Sequence, residues 1–137
     1  MVKRKTSRPL FYKLDGKVAV PCDDLMEAAT AFSEDDRRVQ LTETELHAVS
    51  TVFLGVDHNH TRNGPPLLFE TMVFERACMT DARENIQYDG ELGVLKRYST
   101  WEEAEAGHML ILGDVLRRER SAILAAEAAI YRKQSLD

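Results

Sequence analysis

The chain has 137 residues, 44% of them hydrophobic and 30% charged, an ordinary balance for a soluble globular protein and enough to bury a core in one domain. A net charge of -5 and a pI near 5.4 exclude a molecule built as a whole to grip nucleic-acid phosphates. No apolar run reaches the roughly 18 residues of a membrane span, and the opening MVKRKTSRP lacks the apolar stretch of a secretory signal.

Lys3, Arg4, Lys5 and Arg8 make residues 1–9 a flexible basic arm, ahead of a single domain over 10–137. Cys22 and Cys78 form no CxxC pair, which points to reduced thiols in a cytoplasmic protein. Asp15-Gly16 lies between two short apolar runs in residues 10–20 and predicts a β-hairpin. Pro21 ends that hairpin. Asp24 with Glu27 has the form of a capping box, and Leu25, Ala28, Ala29 and Phe32 recur at helical spacing, predicting a short helix to about Glu34.

Residues 37–44 alternate as a half-exposed strand, and 45–47 form a turn. Residues 49–56 follow as the strongest strand, rich in β-branched side chains. Its Val49, Thr51, Phe53 and Gly55 share one face, and Ser50, Val52, Leu54 and Val56 the other, so it is expected to be central and covered. The polar loop 57–66 carries Asp57, His58, Asn59 and His60 and leaves through Gly64-Pro65-Pro66. Residues 67–74 form the partner strand, with Glu70 among Leu68, Met72 and Phe74. Residues 75–93 lose periodicity, Asp89-Gly90 being the clearest turn, and 94–99 alternate as a last strand.

Thr100 with Glu103 signals a helix start. Trp101, Ala104, His108, Ile111 and Val115 form one stripe, and Leu116, Ile123, Ala126 and Ile130 continue an apolar face that has rotated. Gly107 and Gly113 each weaken the helix by about 1 kcal/mol relative to Ala. A helix over 101–134 would be about 50 Å long at about 1.5 Å per residue, more than a small domain's diameter. Its C-terminal half is therefore expected to bend back or to pack on another subunit, which makes a homo-oligomer the expected assembly. The fold class is α+β: an antiparallel sheet with a short early helix and one long C-terminal helix.

Four stretches together carry a resemblance: STVFLG at 50–55, Asp57-His58, LFETMVF at 68–74, and RYSTW at 97–101 leading to His108. The chain is similar to a small family of uncharacterised phage and prophage proteins with those motifs, over about half its length. The resemblance implies a phage-encoded accessory protein in the host cytoplasm, and it carries no mechanism. His60 and the long alanine-rich tail beyond about residue 115 depart from the family pattern.

The chemistry-bearing residues admit several readings. Asp57, His58 and His60 form a D-H-x-H run in which two imidazoles project to one side. With Glu70 and with His108 from the helix they would hold a divalent metal and run a hydrolysis. The alternative is that Asp57 and His58 only hydrogen-bond the loop. Glu70 requires a partner in an apolar strand, with Arg97, His58 or Lys96 available, unless it serves as a general acid or base. His108 is a satisfied core histidine or is aimed at the Asp57-His58 loop. Arg117 and Arg118, with Arg120, are a solvated face paired with Glu119 or a site for an anionic ligand. No P-loop, Ser-His-Asp or Cys-His arrangement is visible, nor any cofactor signature beyond the metal alternative.

The leading expectation is thus a non-enzymatic protein that binds a host protein or a small anionic ligand, in the service of counter-defence, with no nucleic-acid or membrane partner. A metal-dependent hydrolase built on Asp57, His58, Glu70 and His108 is the alternative, and a virion or assembly component a third.

Overall fold

The computed structural model describes residues 9–30, 34–61, 63–76 and 96–135. The basic run at 1–8, Phe32, Cys78 and the Asp89-Gly90 turn lie outside them. Strands β1 (Phe11–Asp15) and β2 (Val18–Cys22) form the expected hairpin. Asp15 pairs with Val18, so the loop residues are Gly16 and Lys17, one position later than the Asp-Gly reading. Gly16 holds φ at 63°, a left-handed backbone that costs glycine nothing sterically. Pro21 does not end β2; it sits within the strand opposite Tyr12. Among the described strands β2 pairs only with β1, and such an edge tolerates a residue without an N–H.

Helix α1 (Leu25–Thr30) starts where Asp24 caps it, with the Glu27 N–H donating to Asp24 Oδ1 at 2.6 Å. A single turn, α2 (Glu34–Arg37), leads into the main sheet. That sheet comprises β3 (Arg38–Glu43), β4 (His47–Phe53), β5 (Phe69–Glu75) and β6 (Lys96–Tyr98), antiparallel in the order β3-β4-β5-β6. Strand β4 is internal, as its two apolar faces imply. It stops at Phe53, and Gly55 at φ 77° turns the chain away. The Gly55 carbonyl then accepts from the Tyr12 N–H at 2.8 Å, which docks the β1-β2 hairpin against the end of β4.

Alternation along the two inner strands decides which side chains form the core. Val49, Thr51 and Phe53 of β4 and Phe69, Thr71 and Val73 of β5 share one face, and all six are fully buried. Helix α3 (Trp101–Ser135) covers that face with Ala104, Gly107, His108, Ile111, Val115 and Glu119. Near its start, Ala104 joins Tyr12, Phe53, Leu68, Phe69 and Tyr98; further on, Ile111 and Val115 meet Val49 and Val73. Each such side chain contributes roughly 1.5–3 kcal/mol by leaving water. Gly107 belongs to the stripe because the Tyr98 ring lies against the helix there, occupying the place a Cβ would take.

Thr100 caps α3, its Oγ1 accepting the Glu103 N–H at 3.1 Å. The helix does not bend back. Beyond Glu119 it runs on as one unbroken helix to Ser135, and from Arg120 onward every side chain is exposed except the half-buried Ile123. That segment extends about 24 Å past its last contact with the sheet.

Candidate functional site

The residues expected to share a pocket are placed in three separate settings. Asp57 is buried, and its Oδ1 accepts the N–H groups of Asn59 at 2.8 Å and Leu67 at 3.0 Å. It ties the two ends of the 57–66 loop together, as Asp does when it closes a turn on nearby backbone. His58 Nδ1 donates to the Val56 carbonyl at 2.9 Å, and its backbone N–H to that of Leu67 at 3.0 Å. The His60 ring lies 6.3 Å from the His58 ring. No group of three or more His, Cys, Asp or Glu side chains capable of holding a metal occurs among the described residues. The expected ligand set of Asp57, His58 and His60 with Glu70 and His108 is therefore not assembled: Glu70 and His108 are drawn to other partners.

Glu70 faces away from α3. It stands directly across from Arg97 on β6, whose Nε donates to Glu70 Oε2 at 3.0 Å. Charge pairing of this kind answers the requirement that a carboxylate in an apolar strand find a cation. His108 lies on the opposite face and is fully buried. Its Nδ1 is 2.7 Å from the Thr51 hydroxyl and its Nε2 is 2.9 Å from that of Thr42, while Thr51 and Thr71 meet at 2.6 Å. One imidazole N–H donor and one bare nitrogen acceptor match two hydroxyls well. Burial lowers the His108 pKa, so the ring is a neutral core residue with both nitrogens satisfied.

The cluster missing from the sequence expectations centres on Glu119. The turn between β3 and β4 brings Thr44 and His47 under α3, and all three side chains are buried. Glu119 Oε1 accepts from the Thr44 hydroxyl, from His47 Nδ1 at 2.7 Å and from the Leu46 N–H at 3.1 Å. Burial pushes the carboxyl up, but the hydrogen bonds from Thr44, His47 and Leu46, together with the His47 charge, outweigh it and hold the pKa below its ordinary value. A hydroxyl, an imidazole and a carboxylate are the residue types of a catalytic triad. Here the hydroxyl donates to the carboxylate rather than to the imidazole. Its effect is to clamp α3 to the sheet at the level where the sheet ends. Arg76 reinforces the same turn, donating to the Thr44 carbonyl at 2.9 Å.

Glu119 is not the partner of the neighbouring arginines, as the sequence suggested. Arg117 and Arg118 both reach Asp114, at 3.4 Å each, on the exposed side of the helix. Beside the clamp, a groove of about 340 Å³ opens between Glu45 of the turn and Leu116, Arg120, Ile123, Leu124 and Glu127 of α3. Its floor is apolar and its rim is charged with both signs. Cys22 offers no nucleophile: it is buried, and burial pushes its thiol up, away from the reactive thiolate. In comparisons with known proteins, no family, no curated protein and no solved structure matches the chain.

Proposed function

We propose that the protein acts by binding, and that its working surface is the half of α3 from Leu116 onward, most of which projects past the sheet. The observation that carries this reading is the distribution of charge. Of 18 Lys and Arg in the chain, five lie in residues 116–135, but of 23 Asp and Glu only two do. An acidic body thus holds out a basic helix, with Arg117, Arg118, Arg132 and Lys133 exposed along it. Such a helix suits an acidic protein surface, which charge complementarity both selects and steers. A small anionic ligand fits less well, because Arg117 and Arg118 are splayed on an open face and share Asp114. The sequence resemblance adds the setting: a phage- or prophage-encoded accessory protein that engages a host protein in the cytoplasm, in the service of counter-defence. Among the described residues no helix is long and apolar enough to cross a membrane.

The test compares the wild-type chain with the Arg117→Glu/Arg118→Glu/Arg132→Glu variant in quantitative capture from host cells, followed by reconstitution with the purified captured protein. The reading requires an acidic partner that binds the wild type stoichiometrically and loses affinity at least about a hundredfold for the variant, as when several charged contacts are reversed. Equal capture by both chains, with thermal melting unchanged, would contradict it.

A further inference from the structure

The basic ridge leaves a second surface of the projecting helix unexplained. Met109, Leu116, Ile123 and Ile130 recur at a strict seven-residue interval, the interval that keeps one seam of a helix turned toward a neighbouring helix. Met109 is 55% exposed, Leu116 47% and Ile130 58%, and Leu124 and Tyr131 beside the seam are 54% and 72% exposed. Among the described residues no strand reaches this seam beyond Glu119; only Glu45, in the β3–β4 turn, stands beside it, across the groove from Leu116 and Ile123. The charges along it are few and opposite: Arg120 and Glu127, two turns apart and too distant to pair with each other on one helix.

We infer that this seam is covered by the same seam of a second copy of the chain, running antiparallel. About a two-fold axis at the level of Ile123 and Leu124, Arg120 of each copy lies level with Glu127 of the other. Leu116 of each lies level with Tyr131 of the other. A parallel pairing would instead set Arg120 against Arg120 and Glu127 against Glu127, which repels twice. The antiparallel course also carries the basic end of the second copy, Arg132 and Lys133, toward Glu45 on the rim of the groove, so that the groove of about 340 Å³ receives the Tyr131 end of the partner helix. An isologous contact of this kind closes on itself and yields a dimer. Arg118, on the side of the helix away from Leu116 and Ile123, stays on the outer surface of the pair, whereas Arg132 and Lys133 belong to the contact.

Sedimentation of the full chain over a concentration series tests the inference, with Arg120→Glu, Glu127→Arg and the doubly exchanged chain alongside. Both positions are exposed, and melting curves confirm that each variant is folded. The expected result is a wild-type dimer, dissociation constants raised about tenfold or more by either single reversal, and recovery in the double exchange. A monomeric wild type, a dimer indifferent to both reversals, or a double exchange no better than the singles would each overturn it. Sedimentation reads the purified chain with no partner present, and sedimentation of the Arg117→Glu/Arg118→Glu/Arg132→Glu chain tells a capture loss that follows from a broken dimer from one that does not, so the two failures are distinguishable.

Discussion

Glu119 on α3 and His47 on β4 meet at 2.7 Å in a buried site, and this contact fixes where the terminal helix parts from the sheet. Removing one member of a buried pair leaves the other uncompensated, at a cost of about 3 kcal/mol or more. Glu119→Ala should therefore lower the urea midpoint strongly. Glu119→Gln should cost less, because an amide oxygen can still accept from Thr44 and the Leu46 N–H. A Glu119→Ala chain within about 0.5 kcal/mol of wild type, the range of an ordinary surface substitution, would show that the clamp is idle.

The two helical glycines should respond to alanine with opposite signs. A Cβ at Gly107 would overlap the Tyr98 ring, so Gly107→Ala must displace a buried aromatic and is expected to cost about 2 kcal/mol. At Gly113 the nearest atom to a new Cβ is Arg117 Nη1 at 3.9 Å, an ordinary contact. Gly113→Ala should then stabilise by up to about 1 kcal/mol through helix propensity. Thermal melts of the two variants check the pair; a stabilised Gly107→Ala would refute the Tyr98 packing.

Acid should act in two steps. His108 has its pKa lowered from 6.5 by burial, so the unfolded chain takes up a proton there before the folded one. Its contribution is complete above pH 6.5 and is lost as pH falls below that value. Glu119 is held below its ordinary 4.5 by bonds that outweigh burial, so its contribution is present above pH 4.5 and is lost below. Each group adds a slope of at most about 1.4 kcal/mol per pH unit. Urea titrations across pH should show stability falling in both windows, with Glu119→Gln removing the lower one. An His108 ring that titrates at or above 6.5 in the folded protein, followed by NMR, would contradict the upper one.

The loop that drew attention in the sequence is expected to matter for shape and not for metal. Asp57→Ala should cost about 1–3 kcal/mol by leaving two backbone N–H groups unmatched, visible in denaturant unfolding. His58→Ala should leave the metal content of the purified protein unchanged. Loss of a bound divalent ion in His58→Ala would revive the hydrolase reading.

These outcomes show which features local pattern carries. The β1-β2 hairpin, the inner strands and the α3 stripe follow from turn residues, β-branched runs and three-four spacing, all of which are short-range. Glu119 stands four residues beyond Val115 on that same stripe, but the surrounding Arg117, Arg118 and Arg120 disguise it as surface. Its burial depends on Thr44 and His47, more than 70 positions away, which no local pattern reports. The shared pocket failed for a related reason. Alternation in β5 separates Glu70 from Thr71, and only the docking of α3 decides which of them lies beside His108. Pro21 misled because its tolerance depends on β2 being an edge.

The most direct test of the account is amide hydrogen exchange along residues 120–131, since a helix end that runs past its last packed contact frays readily unless something covers it. The account predicts slow exchange there in the wild type, fast exchange in Arg120→Glu, and slow exchange again when Glu127→Arg is added. Identical exchange in all three chains would mean that no second helix lies on that seam.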